Sequence, residues 1–405
     1  MRLPNLSACR SGAMIWVAIL AVIFCGASRS FATEPYLLGM STALTGPASE
    51  LGQNMMLGVN VRLARRNADH GIHNRLVALK VLDDGYEPSR TAPNMRQLIE
   101  QDQVLAVIGN VGTPTAIAAL PIANEERTLF FAPFTGAGAL RRGPPDRYVI
   151  NYRASYVEEM AAMVDALITH GGLVPEDIAF FTQRDGYGDA GYAGGIAALR
   201  RHGLADDTAI IHARYERNTL AVENALADML VAERLPKAVI LVGAYGPSAR
   251  FMRLARQNGV SSLMLNISFV GGAPLANALE GEVDGVVVTQ VVPHPNDTSL
   301  PIVREYREDM AIYAPSAELS FGSLEGYIAA KILLRAMAGA SDPLTREGLV
   351  EAVEGLGRFD IGLGFPLEFS RQEHQASHRI WPTILKDGEF QPFRWDQIHL
   401  YLGKG

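Results

Sequence analysis

The sequence predicts an α/β protein built as two doubly wound parallel-sheet lobes. Short apolar runs such as Ala238–Val242 alternate with amphipathic segments of helical length, the pattern of strand–helix–strand units. Several of these runs are apolar without alternation, as expected of strands covered on both faces. The series breaks once, around residues 151–156, with five strand–helix units before the break and a similar set after it.

In order along the chain, the first set places strands at residues 36–40, 77–82, 105–109, 129–133 and 148–151. Helices fall between them at 50–67, 88–101 and 115–126. The second set places strands at 178–182, 210–215, 238–242, 263–267 and 285–291. Its helices are 158–170, 191–202, 221–233 and 248–257. Helices at 301–313, 320–338 and 345–355 follow. The tail reads as short strands around Phe369, 379–386 and 390–394, with Asp387-Gly388 as a hairpin turn.

A length of 405 residues accommodates two or three domains. Apolar residues make up 48% and charged residues 20%, which excludes disordered, collagen-like and disulfide-scaffold classes. A net charge of −7 with no long basic block argues against a nucleic-acid partner. Arg2 and Arg10 precede an apolar stretch at 13–26 that is short for a membrane span, and Ser30-Phe31-Ala32 follows as a small-x-small site. We therefore expect residues 1–32 to be a cleaved signal peptide and the mature protein to be periplasmic. Cleavage removes both cysteines, Cys9 and Cys25, leaving no disulfide and no thiol nucleophile.

Ligands of open α/β sheets bind beyond the carboxyl ends of the strands, so the exit loops are the place to search. After residues 105–109, Thr113 fits an N-cap and Pro114 the first helical position, where free N–H groups and a hydroxyl attract a carboxylate. After 129–133 come Phe134, Thr135 and Gly136, an aromatic, a hydroxyl and a residue that permits close backbone approach. Ser41 to Pro47 form another hydroxyl-rich exit. In the second half the exits carry Tyr187, Tyr245, Ser268 and Phe269. Aromatic groups from one lobe facing hydroxyls from the other make a small-molecule cleft.

Catalytic signatures are missing: there is no HExxH, GxSxG, P-loop or EF-hand loop. We expect no enzyme, no metal and no cofactor. His374 and His378 have metal-like spacing but lie in a strand-and-turn segment. Asp83-Asp84 reads as a solvated loop pair, and Glu325, within an apolar helix, as a helix-end or lobe-contact residue.

Together these segments resemble a known family. The residues are Leu44-Thr45-Gly46-Pro47 with Gly52, residues 82–88, Ile108-Gly109 with Gly112-Thr113-Pro114-Thr115, Pro133 to Ala137, Arg153 to Tyr156, Tyr187-Gly188 and Ser323 to Tyr327. In this order, from about Tyr36 to Phe393, they are similar to the type I periplasmic binding proteins, in the leucine/isoleucine/valine-binding branch that feeds ABC importers. The resemblance implies a clamshell joined by three crossover strands, near Arg153, Gln290 and Phe365. Lobe 1 is then 33–152 plus 291–364, and lobe 2 is 153–290 plus 365–405. It further implies a monomer that binds a small amino acid or a related carboxylate or amide and is recognised by an ABC permease of the inner membrane. A sensing receptor for a membrane signalling partner is the alternative.

By the same resemblance Thr113 holds a ligand carboxylate, Phe134, Thr135 and Gly136 contact the carboxylate and ammonium, and Tyr187 and Tyr245 line the opposite side. Two departures stand out. Relatives carry an acid near Ser268 to neutralise the ammonium, and here Ser268 and Phe269 occupy that place. The first-strand loop aromatic of relatives is here Leu51. Both favour a less polar ligand lacking an ammonium, unless Asp185 or Glu282 supplies the charge.

Overall fold

A computed structural model describes residues 34–403 except residue 282. The expected signal peptide and Glu282 lie outside the described residues. Strand β1 (Tyr36–Thr42) leads into α1 (Ser49–Ala68), followed by β2 (Val77–Asp83), α2 (Pro88–Arg96), β3 (Ala106–Ile108), α3 (Thr113–Glu125), β4 (Leu129–Phe131) and β5 (Val149–Ile150). These strands form one parallel sheet in the order β2-β1-β3-β4-β5. The chain then enters α4 (Tyr156–Thr169). Ser155 and Glu158 close a capping box at its start, the Ser155 hydroxyl taking the Glu158 N–H while the Glu158 carboxylate takes the Ser155 N–H at 2.6 Å.

A second sheet follows. It contains β6 (Ile178–Gln183), β7 (His212–Tyr215), β8 (Ala238–Val242), β9 (Leu263–Asn266) and β10 (Val287–Gln290), separated by α5 (Gly186–Arg201), α6 (Glu223–Leu230), α7 (Tyr245–Gln257) and α8 (Gly272–Leu279). Strands β6 and β8 are buried along their whole length, because helices cover both faces of the sheet. The chain returns to the first lobe with α9 (Pro301–Tyr313), α10 (Phe321–Gly339), which packs on α1, and α11 (Arg346–Glu354). The short pair β11 (Gly357–Phe359) and β12 (Leu367–Phe369) follows. The tail strands β13 (Trp381–Lys386) and β14 (Glu389–Pro392) complete the second sheet, β13 antiparallel to β10 and β14 antiparallel to β13, in the order β14-β13-β10-β9-β8-β6-β7.

The chain passes between the sheets three times, and the passages lie side by side. Ala376 and Ser377 donate their N–H groups to the carbonyls of Asn151 and Tyr152, at 3.0 and 2.9 Å, and the Tyr152 hydroxyl donates to the Val291 carbonyl at 3.3 Å. The third passage falls later than the expected position near Phe365. Strand β12 is still held by β11, and Phe369 packs 6.4 Å from Phe131 of the first sheet, so the chain leaves the first lobe only after Gln375. Among the described residues no helix is long and apolar enough to cross a membrane.

Candidate functional site

The carboxyl ends of the two sheets face each other, and the loops leaving them meet in a buried cluster. From the first lobe come Tyr86, Thr113, Phe134, Thr135 and Gly136. The first crossover and the start of α4 bring Arg153, Tyr156 and Glu159. The second lobe adds Tyr187, Ser268 and Phe269, all buried.

The first-lobe loops are fixed by their own hydrogen bonds. Phe134 donates its N–H to the Asn110 carbonyl at 2.8 Å, which lays the 133–136 loop beside the start of α3. The Thr113 and Thr135 hydroxyls share a hydrogen bond of 2.7 Å. Thr113 is not the N-cap: Gly112, with φ of 106°, takes that place, and Thr113 starts the helix with its hydroxyl turned to Thr135. Gly136 lies against Tyr156. Its carbonyl accepts the Tyr156 N–H at 2.8 Å, and a Cβ there would sit 2.5 Å from the Tyr156 ring. Half-buried Arg141 pins this loop from behind, donating to the carbonyls of Thr135, Ala137 and Arg153. Burial and the neighbouring Arg153 lower the Arg141 pKa to about 10, which still leaves it cationic at neutral pH.

The aromatic residues join the lobes. The Phe269 ring has its centroid 4.6 Å from Tyr187, 5.6 Å from Phe134 and 5.9 Å from Tyr86, and Tyr187 is 5.6 Å from Tyr156. These separations are those of rings in direct contact. Phe269 therefore touches first-lobe and second-lobe rings at once. Leu51 meets the other lobe at Gly271, where an added Cβ would stand 2.6 Å from its Cδ2. Tyr245 lies at the rim, half-buried, facing Ser49 and Glu50 of the first lobe. Of the residues singled out from the sequence, Thr113, Phe134, Thr135, Gly136, Tyr187, Ser268 and Phe269 converge, while Leu51 and Tyr245 form the seam beside them.

Arg153 is the charge at the centre, and sequence reasoning used it only to mark a crossover. Its guanidinium lies 4.3 Å from the Phe134 ring centroid and donates from Nη2 to the Ser268 hydroxyl at 2.7 Å. Glu325 of α10 stands 3.2 Å from its Nε, an ion pair without hydrogen-bond alignment. Glu325 thus makes a contact at the crossover, in keeping with its lobe-contact reading. Burial pushes its pKa up to about 7, against the pull of Arg153.

The acid that the sequence lacks near Ser268 arrives from another element. Glu159 of α4 accepts the Ser268 N–H at 2.8 Å, the Ser268 hydroxyl at 2.9 Å and the Thr289 hydroxyl. Burial raises its pKa, with Arg153 and those hydrogen bonds opposing. The signal available in the sequence was the capping box, which sets Glu159 one position past its acid and on the inward face. Asp185 does not enter the cluster as a free charge: it caps α5 at the Tyr187 N–H, 2.9 Å away, and pairs with Arg217.

Asp83 and Asp84 are structural rather than solvated. Asp84 is fully buried, held by the Ser41 hydroxyl at 2.8 Å, the Tyr86 N–H at 2.9 Å and the Thr91 hydroxyl at 3.1 Å. Burial would raise the Asp83 pKa, but hydrogen bonds from Thr45, Leu44 and Gly85 and the Arg90 charge hold it well below the usual carboxylate range. The pair thereby fixes the Leu44–Thr45 turn that enters α1. His374 and His378 go to different partners, the Val149 carbonyl and Glu158. Among the described residues no group of three or more His, Cys, Asp or Glu could hold a metal ion.

Two facing, mostly parallel sheets, three adjacent crossovers and a buried polar and aromatic cluster at the strand ends define a two-lobed binding protein. A family model described as periplasmic binding protein matches residues 35–389, and the chain belongs to that family, whose members bind solutes and are not enzymes. The chain is 49% identical to a solved structure of a possible leucine/isoleucine/valine-binding protein from Rhodopirellula baltica, covering 91% of this chain and 98% of that one with a TM-score of 0.88. A substrate-binding periplasmic protein from Ralstonia solanacearum is 29% identical over 86% of this chain and 97% of its own, with a TM-score of 0.79. The leucine-specific-binding protein of Salmonella typhimurium is 22% identical over 282 residues, 69% of this chain and 73% of that protein.

Proposed function

We propose that the chain captures a small amino acid, or a related carboxylate or amide, between its lobes by hinge closure and presents it to an ABC permease in the inner membrane. Export by cleavage after Ala32 would bring the mature protein to the periplasm, where the family works. The observation that carries the reading is the pair of phenol hydroxyls of Tyr156 and Tyr187. Both are fully buried where the lobes meet, and neither has a hydrogen-bond partner. Most buried side-chain polar groups in folded proteins have a hydrogen-bond partner. The Thr113 and Thr135 hydroxyls lie beside the Tyr156 phenol without reaching hydrogen-bond geometry to it. A small polar solute seated there would satisfy hydroxyls from both lobes and so favour the closed form.

In this reading Thr113, Thr135 and the 134–136 backbone hold the carboxylate or carbonyl end. Phe134, Tyr187 and Phe269 enclose the apolar part, and Leu51 and Tyr245 seal the edge. The test is a thermal-shift and small-angle scattering screen of residues 33–405 with amino acids, short carboxylates and amides. Binding at one hundred times Kd adds about 2.7 kcal/mol of stability and is expected to reduce the radius of gyration. A protein that neither stabilises nor compacts with any of these solutes would overturn the reading.

A further inference from the structure

We infer that the solute taken at this site is a short carboxylate without an ammonium group, a donor-seeking rather than a donor-bearing ligand. The inference rests on the binding reading above and narrows it. Three polar atoms of the buried cluster lack partners, Nη1 of Arg153 and the hydroxyls of Tyr156 and Tyr187, while Nε of Arg153 faces Glu325 in an ion pair. Nη1 of Arg153 carries N–H groups that can only donate. Burial keeps both phenols protonated, so they too offer an O–H. A carboxylate is the ligand group that answers a set of donors, and an arginine nitrogen is among its strongest partners.

The acids of the cluster are committed elsewhere. Glu159 already receives three donors, the Ser268 N–H and the hydroxyls of Ser268 and Thr289. Glu325 stands against Arg153 Nε at 3.2 Å. An ammonium placed here would meet the Arg153 cation and no uncommitted carboxylate, and a buried unpaired charge is costly. Phe269 adds a size limit. It is in contact with Tyr86, Phe134 and Tyr187 together, so it takes up apolar space between the lobes that a longer chain would need. What remains suits a short chain.

The test is isothermal titration of the mature chain with matched pairs that differ at the amino group: propionate and lactate against alanine, succinate against aspartate, and isocaproate against leucine. The expected result is that an ammonium-free member binds at least about tenfold more tightly than its amino-acid partner, with Tyr187→Phe and Tyr156→Phe each weakening that binding roughly fivefold, the scale of one lost hydrogen bond. These two variants remove a hydroxyl and keep the ring, so circular dichroism can verify the fold. Preferential binding of the amino acids would overturn the inference and leave the solute-binding reading standing. Unchanged affinity in both tyrosine variants would overturn it too. Failure of every solute to bind would overturn both.

Discussion

Arg217 of the second lobe places Nη2 2.7 Å from Oε2 of Glu87, the residue that opens α2 in the first lobe. Asn218 donates to the other Glu87 oxygen at 2.6 Å and to the Gly85 carbonyl at 3.3 Å. Gln183 donates to the Tyr86 hydroxyl between them at 3.2 Å. The second lobe therefore holds residues 85–87 of the first lobe through both their side chains and their backbone.

Removing Arg217 takes away the charged part of that grip together with its pair to Asp185, and under the proposed hinge closure weakens the closed form. Arg217→Ala is expected to raise the ligand Kd about fivefold, because a partly exposed ion pair is worth at most about 1 kcal/mol. Raising the salt from 0.1 M towards 1 M shortens the screening length from about 10 Å to about 3 Å. The difference between wild type and variant should shrink accordingly in titrations at the two ionic strengths. A gap that persists at high salt would assign the effect to packing instead.

Gly136→Ala tests the close approach of the two loops. The added Cβ meets the Tyr156 ring at 2.5 Å and its backbone nitrogen at 2.7 Å. Relieving that overlap costs about 1–3 kcal/mol and moves the Tyr156 hydroxyl. Thermal unfolding should show a modest loss of stability and titration a loss of affinity of tenfold or more. An unchanged affinity would remove Tyr156 from the site.

The sequence carried the site unevenly. The convergence of Thr113, Phe134, Thr135, Tyr187 and Phe269 was legible because they follow strand ends that open α/β sheets bring to one edge, so position along the chain nearly determines position in space. Arg153 and Glu159 were not legible as members of the buried cluster. Their roles arise from a crossover and a helix face, where four elements converge and no local pattern records the neighbours. Asp83 and Asp84 misled for a related reason. Adjacent carboxylates look solvated until the donors of Ser41, Leu44 and Thr91 are brought to them by folding. The delayed third crossover was hidden by β12, a strand whose partner β11 lies only a few residues earlier.

Phe269→Ala tests whether this ring sets ligand size. It is fully buried and in contact with three other rings, so truncation should cost about 3–5 kcal/mol. A ligand that fills the space returns part of that stability. Phenylpropionate, too bulky for the wild type, should raise the melting temperature of the variant and leave the wild type unmoved. If neither protein responds to it while the short carboxylates still bind both, Phe269 is core rather than a gate.

Glu325 ties stability to pH in a direction opposite to that of most carboxylates. Burial sets its folded pKa at about 7, above the ordinary value of 4.5. Between these values the folded state binds more protons than the unfolded state, so stability falls as pH rises. The contribution is complete below pH 4.5 and is lost as pH climbs through 7. Arg153, Arg141 and Glu159 are the charges that face it. His212, lowered to about 4 chiefly by burial, acts the other way: its stabilisation is present above pH 6.5 and lost as pH falls. Glu158, held near 2 because hydrogen bonds from His378, Ser155 and Gln375 outweigh its burial, acts only in acid, below pH 4.5. The absolute melting curve mixes these groups, so the informative quantity is the difference between wild type and Glu325→Gln. The wild type's stability relative to this variant should decline from pH 4.5 to 7.5 and level off above, followed by thermal unfolding at half-unit steps. A difference that does not change with pH would mean Glu325 stays ionised throughout, with Arg153 rather than burial governing its charge.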